Sequence, residues 1–423
     1  MSTSEDNPFA GARVYTNPQA VASLDAMLDA QFDGSSDIAV SDEQAGVLQM
    51  LRDVPAAIWI DTKTKLRVAR AVLEDATAQA GDPGGAPTVV FVLYDLPNRD
   101  CNAAASLGEI CCYRNDEGTC ELSAPGDCAD GLREYMEEVV DPMAALVAEF
   151  EGLVPVVIVV EPDSIANLVT NGEVANCGSA TSSAYREGLK YAIRRLKAAS
   201  PSITLYLDAG HGGWLGWDEM ASKYVALVCE LGLATHLRGF STNVANYNAL
   251  GHFCPDEAFE GDENAAHYCN WIGPNATCCL SVNDCGRELL EGYNSGIGEL
   301  MYAQTLYKYA REQCDGIDFH PHMLIDTGRN GAPAARDSSC LAWCNVRGSR
   351  LGRLPTAMTG SRVVDALFWV KTPGESDGCS RILPSGRLCA RYDEACGGAL
   401  SLGSRDDEAG AALAAPEAGA WYE

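Results

Sequence analysis

The chain has 423 residues, with 59 Asp+Glu against 30 Lys+Arg, and its formal net charge of −29 excludes electrostatic capture of nucleic acid or anionic lipid as its main business. Hydrophobic residues make up 47%, enough for a sizeable core and too many for a disordered acidic tail. The longest apolar stretches, such as the eight residues from Leu153 to Val160, fall far short of the roughly twenty needed to cross a bilayer, so no membrane span is expected.

Short apolar runs recur along the chain: Ala57 to Ile60, Val89 to Leu93, Val154 to Val160, Ile203 to Leu207, Leu237 to Phe240, Met323 to Ile325 and Ala366 to Val370. Between them lie candidate amphipathic helices near Lys63 to Gln79, Leu132 to Phe150, Ser182 to Ala199 and Gly286 to Glu312. Strand, helix, strand is the order of a parallel α/β fold, and α/β barrels spend more residues on one core than the usual domain size suggests. Polar groups follow each run: Asp61, Tyr94 with Asp95, Glu161 with Asp163, Asp208, Asn243, Asp326 and Lys371. In a barrel of parallel strands these positions converge on one mouth, which predicts a single site lined by all seven. The loops after the second, fifth and seventh runs (101–128, 249–285 and 378–414) are long enough to cover it.

Eighteen cysteines, none in a Cys-x-x-Cys pair, cluster in polar loops at Cys111, Cys112, Cys120 and Cys128 and again from Cys254 to Cys285. That usage predicts stapled loops in an oxidising compartment rather than zinc sites. The His320-Pro-His322 pair has no clear third ligand, so no metal is expected. Met1 to Asp6 shows neither a basic nor an apolar signal region, which reads as a mature domain behind an added Met. Asn275-Ala-Thr is the one N-glycosylation sequon and accords with secretion.

Two carboxylate-bearing segments stand out, Val92 to Cys101 and Val159 to Asn171, and no Ser/His/Asp set or phosphate loop accompanies them. Aromatics beside the carboxylates (Trp59, Tyr94, Trp214, Trp217, Trp343, Trp369) point to sugars. Pyranose rings present flat C–H faces to indole, while their hydroxyls need Asp, Asn, Lys and Glu. Trp214 and Trp217 lie in a Gly-rich loop that cannot easily hide both.

These residues resemble glycoside hydrolase family 6, the cellulose-degrading cellobiohydrolases and endoglucanases. The likeness runs in order through NPF at Asn7, WIDT at Trp59, YDLPNRDC at Tyr94, EPDSIANLVTN at Glu161, YLDAGHGGWLGW at Tyr206, TNVANYN at Thr242, DTGRNG at Asp326, WCNV at Trp343, WVKTPGESDG at Trp369 and the closing EAGAWYE. The resemblance implies that Asp163 is the general acid and Asp100 the second catalytic carboxylate, with Tyr94 pressing on a distorted sugar and Asp377 beneath the reacting ring. Ser106 would position the catalytic water. Lys371 and Glu375 would bind sugar, Trp59, Trp214, Trp217 and Trp343 would be stacking platforms, and Asp61, Asp208, His211 and Asn246 would complete the hydroxyl contacts. Asp163 would need a raised pKa, which like-charge repulsion from Asp100 and Asp377 could supply. Family likeness also implies the disulfides Cys101–Cys177 and Cys344–Cys396, with Ser376 where fungal relatives carry a cysteine.

The expectation is therefore one catalytic domain spanning 1–423, with 1–50 as a wrapping segment and no carbohydrate-binding module. It is a distorted seven-stranded parallel β/α barrel, TIM-like, with long disulfide-stapled loops over the active-site mouth. The implied activity is a secreted, cofactor-free cellulase that hydrolyses β-1,4-glucan with inversion and releases cellobiose from non-reducing ends. Its partners would be cellulose and cello-oligosaccharides, with no nucleic acid and no membrane, and the chain would be a monomer. An endoglucanase with open lids is the alternative, and a non-catalytic glucan-binding relative would lack Asp163 or Asp100.

Overall fold

Valine, isoleucine and leucine fill both faces of the central strands, because a parallel sheet is covered on one side by helices and on the other by its own curvature. In the computed structural model, which describes residues 7–18, 21–22, 24–26, 42–124, 126–280, 284–314, 316–336, 340–383, 385–389 and 391–402, each of the seven runs forms a strand. They are β1 (Ile58–Ile60), β2 (Val89–Leu93), β3 (Val156–Val160), β4 (Thr204–Asp208), β5 (Gly239–Thr242), β6 (His322–Asp326) and β7 (Val364–Phe368). All neighbours pair in parallel, in sequence order from β1 to β7. The barrel is not fully laced: β1 and β7 meet at the Ala56–Trp369 bridge, where the Ala57 N–H donates to the Trp369 carbonyl at 3.0 Å.

The period of two along each strand sorts side chains into two cores. Val89, Phe91 and Leu93 of β2, with Val156, Ile158 and Val160 of β3, face outward into the layer formed by helices Leu66–Ala78, Ser179–Ala199 and Asp218–Glu230. Val90, Val92, Val157, Val159, Tyr206, Leu324, Ala366 and Phe368 face inward. Phe9, from the NPF stretch, completes this inner core, with its ring 5.7 Å from Phe368 and 6.5 Å from Tyr206. Residues 7–18 are also pinned outside it, through the Asn7 amide on the Asp365 carbonyl and a Val14–Thr88 bridge.

The helices differ from expectation in several places, among them Asp42–Leu51 and Ser164–Thr170, neither of which was expected. Residues 286–312 are not one helix: Asp284–Glu291 and Glu299–Gln313 are separated by a stretch with glycines at 292, 296 and 298. Close approach explains the break, since a Cβ on Gly296 would stand 2.7 Å from the Gly216 Cα, and one on Gly212 would overlap the Gly296 carbonyl. Helix Asp218–Glu230, whose periodicity the Gly-rich loop before it obscures, was not anticipated.

All eighteen cysteines are paired. Cys101–Cys177 and Cys344–Cys396 are both present. Cys111–Cys120 and Cys112–Cys128 staple the loop after β2, while Cys254–Cys278 and Cys269–Cys279 staple the loop after β5. The sulfurs of that second group lie within 4.8 Å of one another, but disulfide formation removes the thiolates a metal would need. Cys285–Cys340 ties the loop after β5 to the loop after β6, Cys379–Cys389 closes the loop after β7, and Cys229–Cys314 joins two outer helices. Met1 to Asp6, the end of the last loop and the Glu417–Glu423 motif lie outside the described residues.

Candidate active site

At the C-terminal ends of the strands the backbone leaves its ordinary regions. Asn98 (φ 55°), Asp100 (φ 48°), Glu161 (φ 45°), Asp163 (φ 64°), Asn243 (φ 60°) and Ala245 (φ 55°) are all left-handed without being glycine. Such residues cost of order 1 kcal/mol each and persist only where their surroundings over-determine them. Their effect is to turn alternate side chains into a cavity of about 400 Å³, a size suited to enclosing part of a ligand.

Thirteen of the expected residues line this cavity: Trp59, Asp61, Tyr94, Asp100, Ser106, Asp163, His211, Trp214, Asn246, Trp343, Lys371, Glu375 and Asp377. Asp208 and Trp217 do not. Asp208 is a correction: its carboxylate is 1% exposed and accepts the backbone N–H groups of Asp163 (2.9 Å) and Gly210 (3.0 Å), so it braces the loop instead of meeting hydroxyls. Trp217 sits outside the lining, at the start of helix Asp218–Glu230, with its indole N–H on the Gly292 carbonyl at 3.2 Å. Nor do all seven strand-end groups face the mouth. Asp95, Glu161, Asn243 and Asp326 are buried, and Glu161 and Asp326 spend their carboxylates on backbone N–H groups of neighbouring loops. Turning chains at strand ends expose donors that must be satisfied, and these acceptors do so.

Tyr94 and the two catalytic candidates form one cluster. The Tyr94 hydroxyl is 3.5 Å from the Asp163 carboxylate, and the Tyr94 ring meets Trp59 edge-on at 5.5 Å. Asp100 accepts the Asn167 amide at 3.3 Å and is hydrogen-bonded by the Ser106 side chain. Burial pushes the Asp163 carboxyl well above the ordinary range, with Asp100 and then Asp208 adding like-charge repulsion. The expected contribution of Asp377 is not among these causes. Asp100 is also raised by burial, to about 6, and its two side-chain hydrogen bonds oppose the rise.

Asp377 instead belongs to a tightly bonded set. Arg329 pairs with it at 2.7 Å, the Tyr247 hydroxyl donates to it at 2.7 Å, and the Asn345 N–H at 2.8 Å. Lys371 pairs with Glu375 at 2.9 Å and stands 5.3 Å from the Trp59 ring. Asp61 pairs with Lys65 at 2.6 Å. His211 is held neutral by burial and by Arg336 nearby. The Trp214 indole N–H is fixed on the Thr170 hydroxyl at 3.0 Å, which orients the ring at the cavity wall.

Sequence reasoning missed the arginines. Arg99, 3% exposed, reaches from the loop after β2 to the carbonyls of Asp61 (2.6 Å), Tyr94 (2.5 Å) and Ser106 (2.8 Å), and its guanidinium lies 4.4 Å from the Tyr94 ring centre. Arg336 also lines the cavity and Arg329 lies directly behind Asp377. The only hint in the sequence is the excess of carboxylates at the strand ends, which calls for cations among them without saying which.

Two loops meet at the cavity, which they line with Asn102, Ala103 and Ser106 from the loop after β2 and Arg391 from the final loop. Ala105, in the short turn Ala104–Ser106, packs on the Cys344–Cys396 disulfide, and its N–H donates to Asp393 of the final loop at 3.3 Å.

The family model for Glycosyl hydrolases family 6 matches residues 9–423. The chain is similar to 1,4-beta-D-glucan cellobiohydrolase C of Emericella nidulans, with 33% identity over 430 residues covering 100% of this chain and 77% of that protein. It is also similar to Exoglucanase 3 of Agaricus bisporus, at 34% over 421 residues, 99% of this chain and 76% of that one. Among solved structures, the catalytic core of the cellobiohydrolase Cel6A from Chaetomium thermophilum superposes with a TM-score of 0.73 at 30% identity, covering 98% of this chain and 95% of that one. Cellobiohydrolase II (Cel6A) of Humicola insolens, determined with glucose and cellotetraose, gives a TM-score of 0.73 at 28% identity, covering 98% and 96%.

Proposed function

The chain belongs to glycosyl hydrolases family 6, and from that premise we propose that it works outside the cell as an inverting cellobiohydrolase in which Asp163 and Asp100 break the β-1,4 bond. It is a glycoside hydrolase of the cellulase type. The observation that carries the assignment of roles is the juxtaposition of Tyr94, Asp163 and Asp100 in one cavity, with burial and the Asp100 and Asp208 carboxylates raising the Asp163 carboxyl well above its ordinary range.

Protonated Asp163 gives its proton to the glycosidic oxygen as the bond from that oxygen to the anomeric carbon breaks. Water adds to the anomeric carbon from the opposite face and loses its proton toward Asp100, whose position is held by Asn167 and Ser106. Proton exchange between the two carboxyl groups restores the starting state. Tyr94 crowds the sugar at the cleavage point, and Asp377, immobilised by Arg329 and Tyr247, lies ready to meet its developing positive charge. Trp59, Trp214 and Trp343 offer apolar faces to neighbouring glucose units, with Lys371, Glu375, His211 and Asn246 for their hydroxyls.

The contact of Ala105 with Asp393 and the Cys344–Cys396 bridge, which joins two cavity-lining loops, supports exo action, since loops that meet over a cleft admit a chain by its end. Nine disulfides support an oxidising, extracellular setting. Asn275 is exposed in a turn, where a glycan could be attached without disturbing packing. The test is a time course on cellohexaose with anomeric configuration followed by NMR. Cellobiose should dominate and first appear as the α-anomer. Early β-anomer would refute inversion, and a viscosity drop on soluble substituted cellulose far ahead of reducing-sugar release would refute exo action.

A further inference from the structure

The loop after β5 carries more structure than a cleft cover requires. It has its own small core of Cys254, Ala258, Ala265, Ala266, Tyr268, Cys269 and Cys278, yet leaves Trp271, Ile272, Leu280 and Tyr293 more than half exposed. Large apolar side chains grouped on a surface are the unusual observation, because a core of this size has every reason to absorb them. The segments of Trp271 and Tyr293 are tied at one atom: the Leu290 carbonyl accepts both the side-chain amide of Asn270, which precedes Trp271 (3.3 Å), and the Tyr293 N–H (3.0 Å).

This group is continuous with the cavity. Residues 292–296 lock onto the loop that carries the cavity tryptophan, through the Trp217 indole on the Gly292 carbonyl, a Trp217–Asn294 bridge, and the Asn294 amide on the Gly212 carbonyl at 2.9 Å. The segment that carries Tyr293 is therefore fastened to the loop that carries Trp214 and Trp217, so the exposed aromatics belong to the same rigid unit as the cavity wall. Residues 249–294 hold eight carboxylates and a single arginine, a charge that repels polyanions and is indifferent to a neutral polymer.

Resting on the cellulase reading above, we infer that Trp271 and Tyr293 form an external binding platform for β-1,4-glucan, on which cellulose is held outside the cleft. The loop then anchors the catalytic body to the solid and feeds a chain toward Trp217 and Trp214.

The test uses the whole chain with the substitutions Trp271→Ala and Tyr293→Asn, Asn being chosen because Tyr293 has φ 64° and Asn tolerates that conformation. Adsorption to microcrystalline cellulose in the cold should fall about fivefold or more in the double variant, as expected for loss of aromatic stacking, and Trp271→Phe should retain most of it. Turnover of cellohexaose should be unchanged. Unaltered adsorption would overturn the platform, as would a parallel loss of cellohexaose turnover, which would make the loop a support of the cavity. Failure of the unsubstituted chain to cleave cellohexaose would instead refute the enzymatic reading, while its adsorption would still report on the platform.

Discussion

The carboxylate of Asp208 accepts the backbone N–H of Asp163 at 2.9 Å, so the residue placed to donate a proton is itself oriented by a second, fully buried acid. Asp208 also adds negative charge that keeps the Asp163 proton on. Asp163→Ala should lower turnover of unactivated glucan by about 10²- to 10⁴-fold while leaving oligosaccharide affinity in place. Asp208→Asn keeps an acceptor for the N–H and removes the charge, so the alkaline limb of the kcat profile should move to lower pH. A profile unchanged in that variant would show that Asp208 acts through geometry alone.

Arg99 joins the ends of β1 and β2 to the lid through three carbonyls, and a lysine cannot reach them with one planar group. Arg99→Lys should therefore lower kcat/KM on cellohexaose by about tenfold or more through displacement of Ser106 and Tyr94. Measuring kcat and KM separately distinguishes this from a stability effect: the loss should lie mainly in kcat, with thermal unfolding still cooperative. Wild-type kinetics in this variant would remove Arg99 from the positioning of the site.

Stability should fall as pH rises. Burial lifts Glu161 and Asp208 to about 7 and Asp100 and Asp326 to about 6, against ordinary values of 3.8 to 4.5. These groups hold protons more tightly folded than unfolded, so their contribution is complete below about pH 4 and is lost as pH rises through 6 to 7. Asp365 works in the opposite sense. Burial resists its ionisation, but Arg238, His322 and Tyr206 hold it at about 2, so its contribution is lost only as pH falls toward 2. Calorimetry should give the highest Tm near pH 4 to 5 and a decline toward pH 8. A Tm that rises over that interval would contradict the burial of these acids.

Replacing both Cys344 and Cys396 by Ser should free the loop that carries Ala105 and Ser106, since Ala105 rests on that bridge. Loss of the bridge should destabilise the protein by about 2–4 kcal/mol. It should also shift products toward internal cleavage, read as a larger viscosity loss per reducing end. An unchanged ratio would mean that the Asp393 contact alone keeps the two loops together.

All seven strands were legible because β-branched runs such as VVFVL and VVIVV, closed by polar residues, have few other uses in a chain of this kind. Their convergence was legible as well, but the direction of each terminal side chain was not. Whether Asp163 faces the cavity and Glu161 faces backbone donors depends on left-handed φ values at both residues, which no periodicity reports. The arginines were missed for a related reason. In a polar loop Arg99 reads as a solvated charge, and only the folded arrangement of Asp61, Tyr94 and Ser106 around it reveals a buried cross-brace.

The gap between the first and last strands carries a mechanical consequence. Beyond the Ala57 contact, the Trp59 indole donates across it to the Val370 carbonyl at 2.8 Å, so two hydrogen bonds do what a full ladder does elsewhere in the sheet. A closed eight-stranded ring would present a pit with a rim of fixed circumference. Here those two hydrogen bonds and the Lys371 ammonium near the Trp59 ring are the contacts that a widening groove would have to part, with six paired interfaces left intact around a stiff linear polymer.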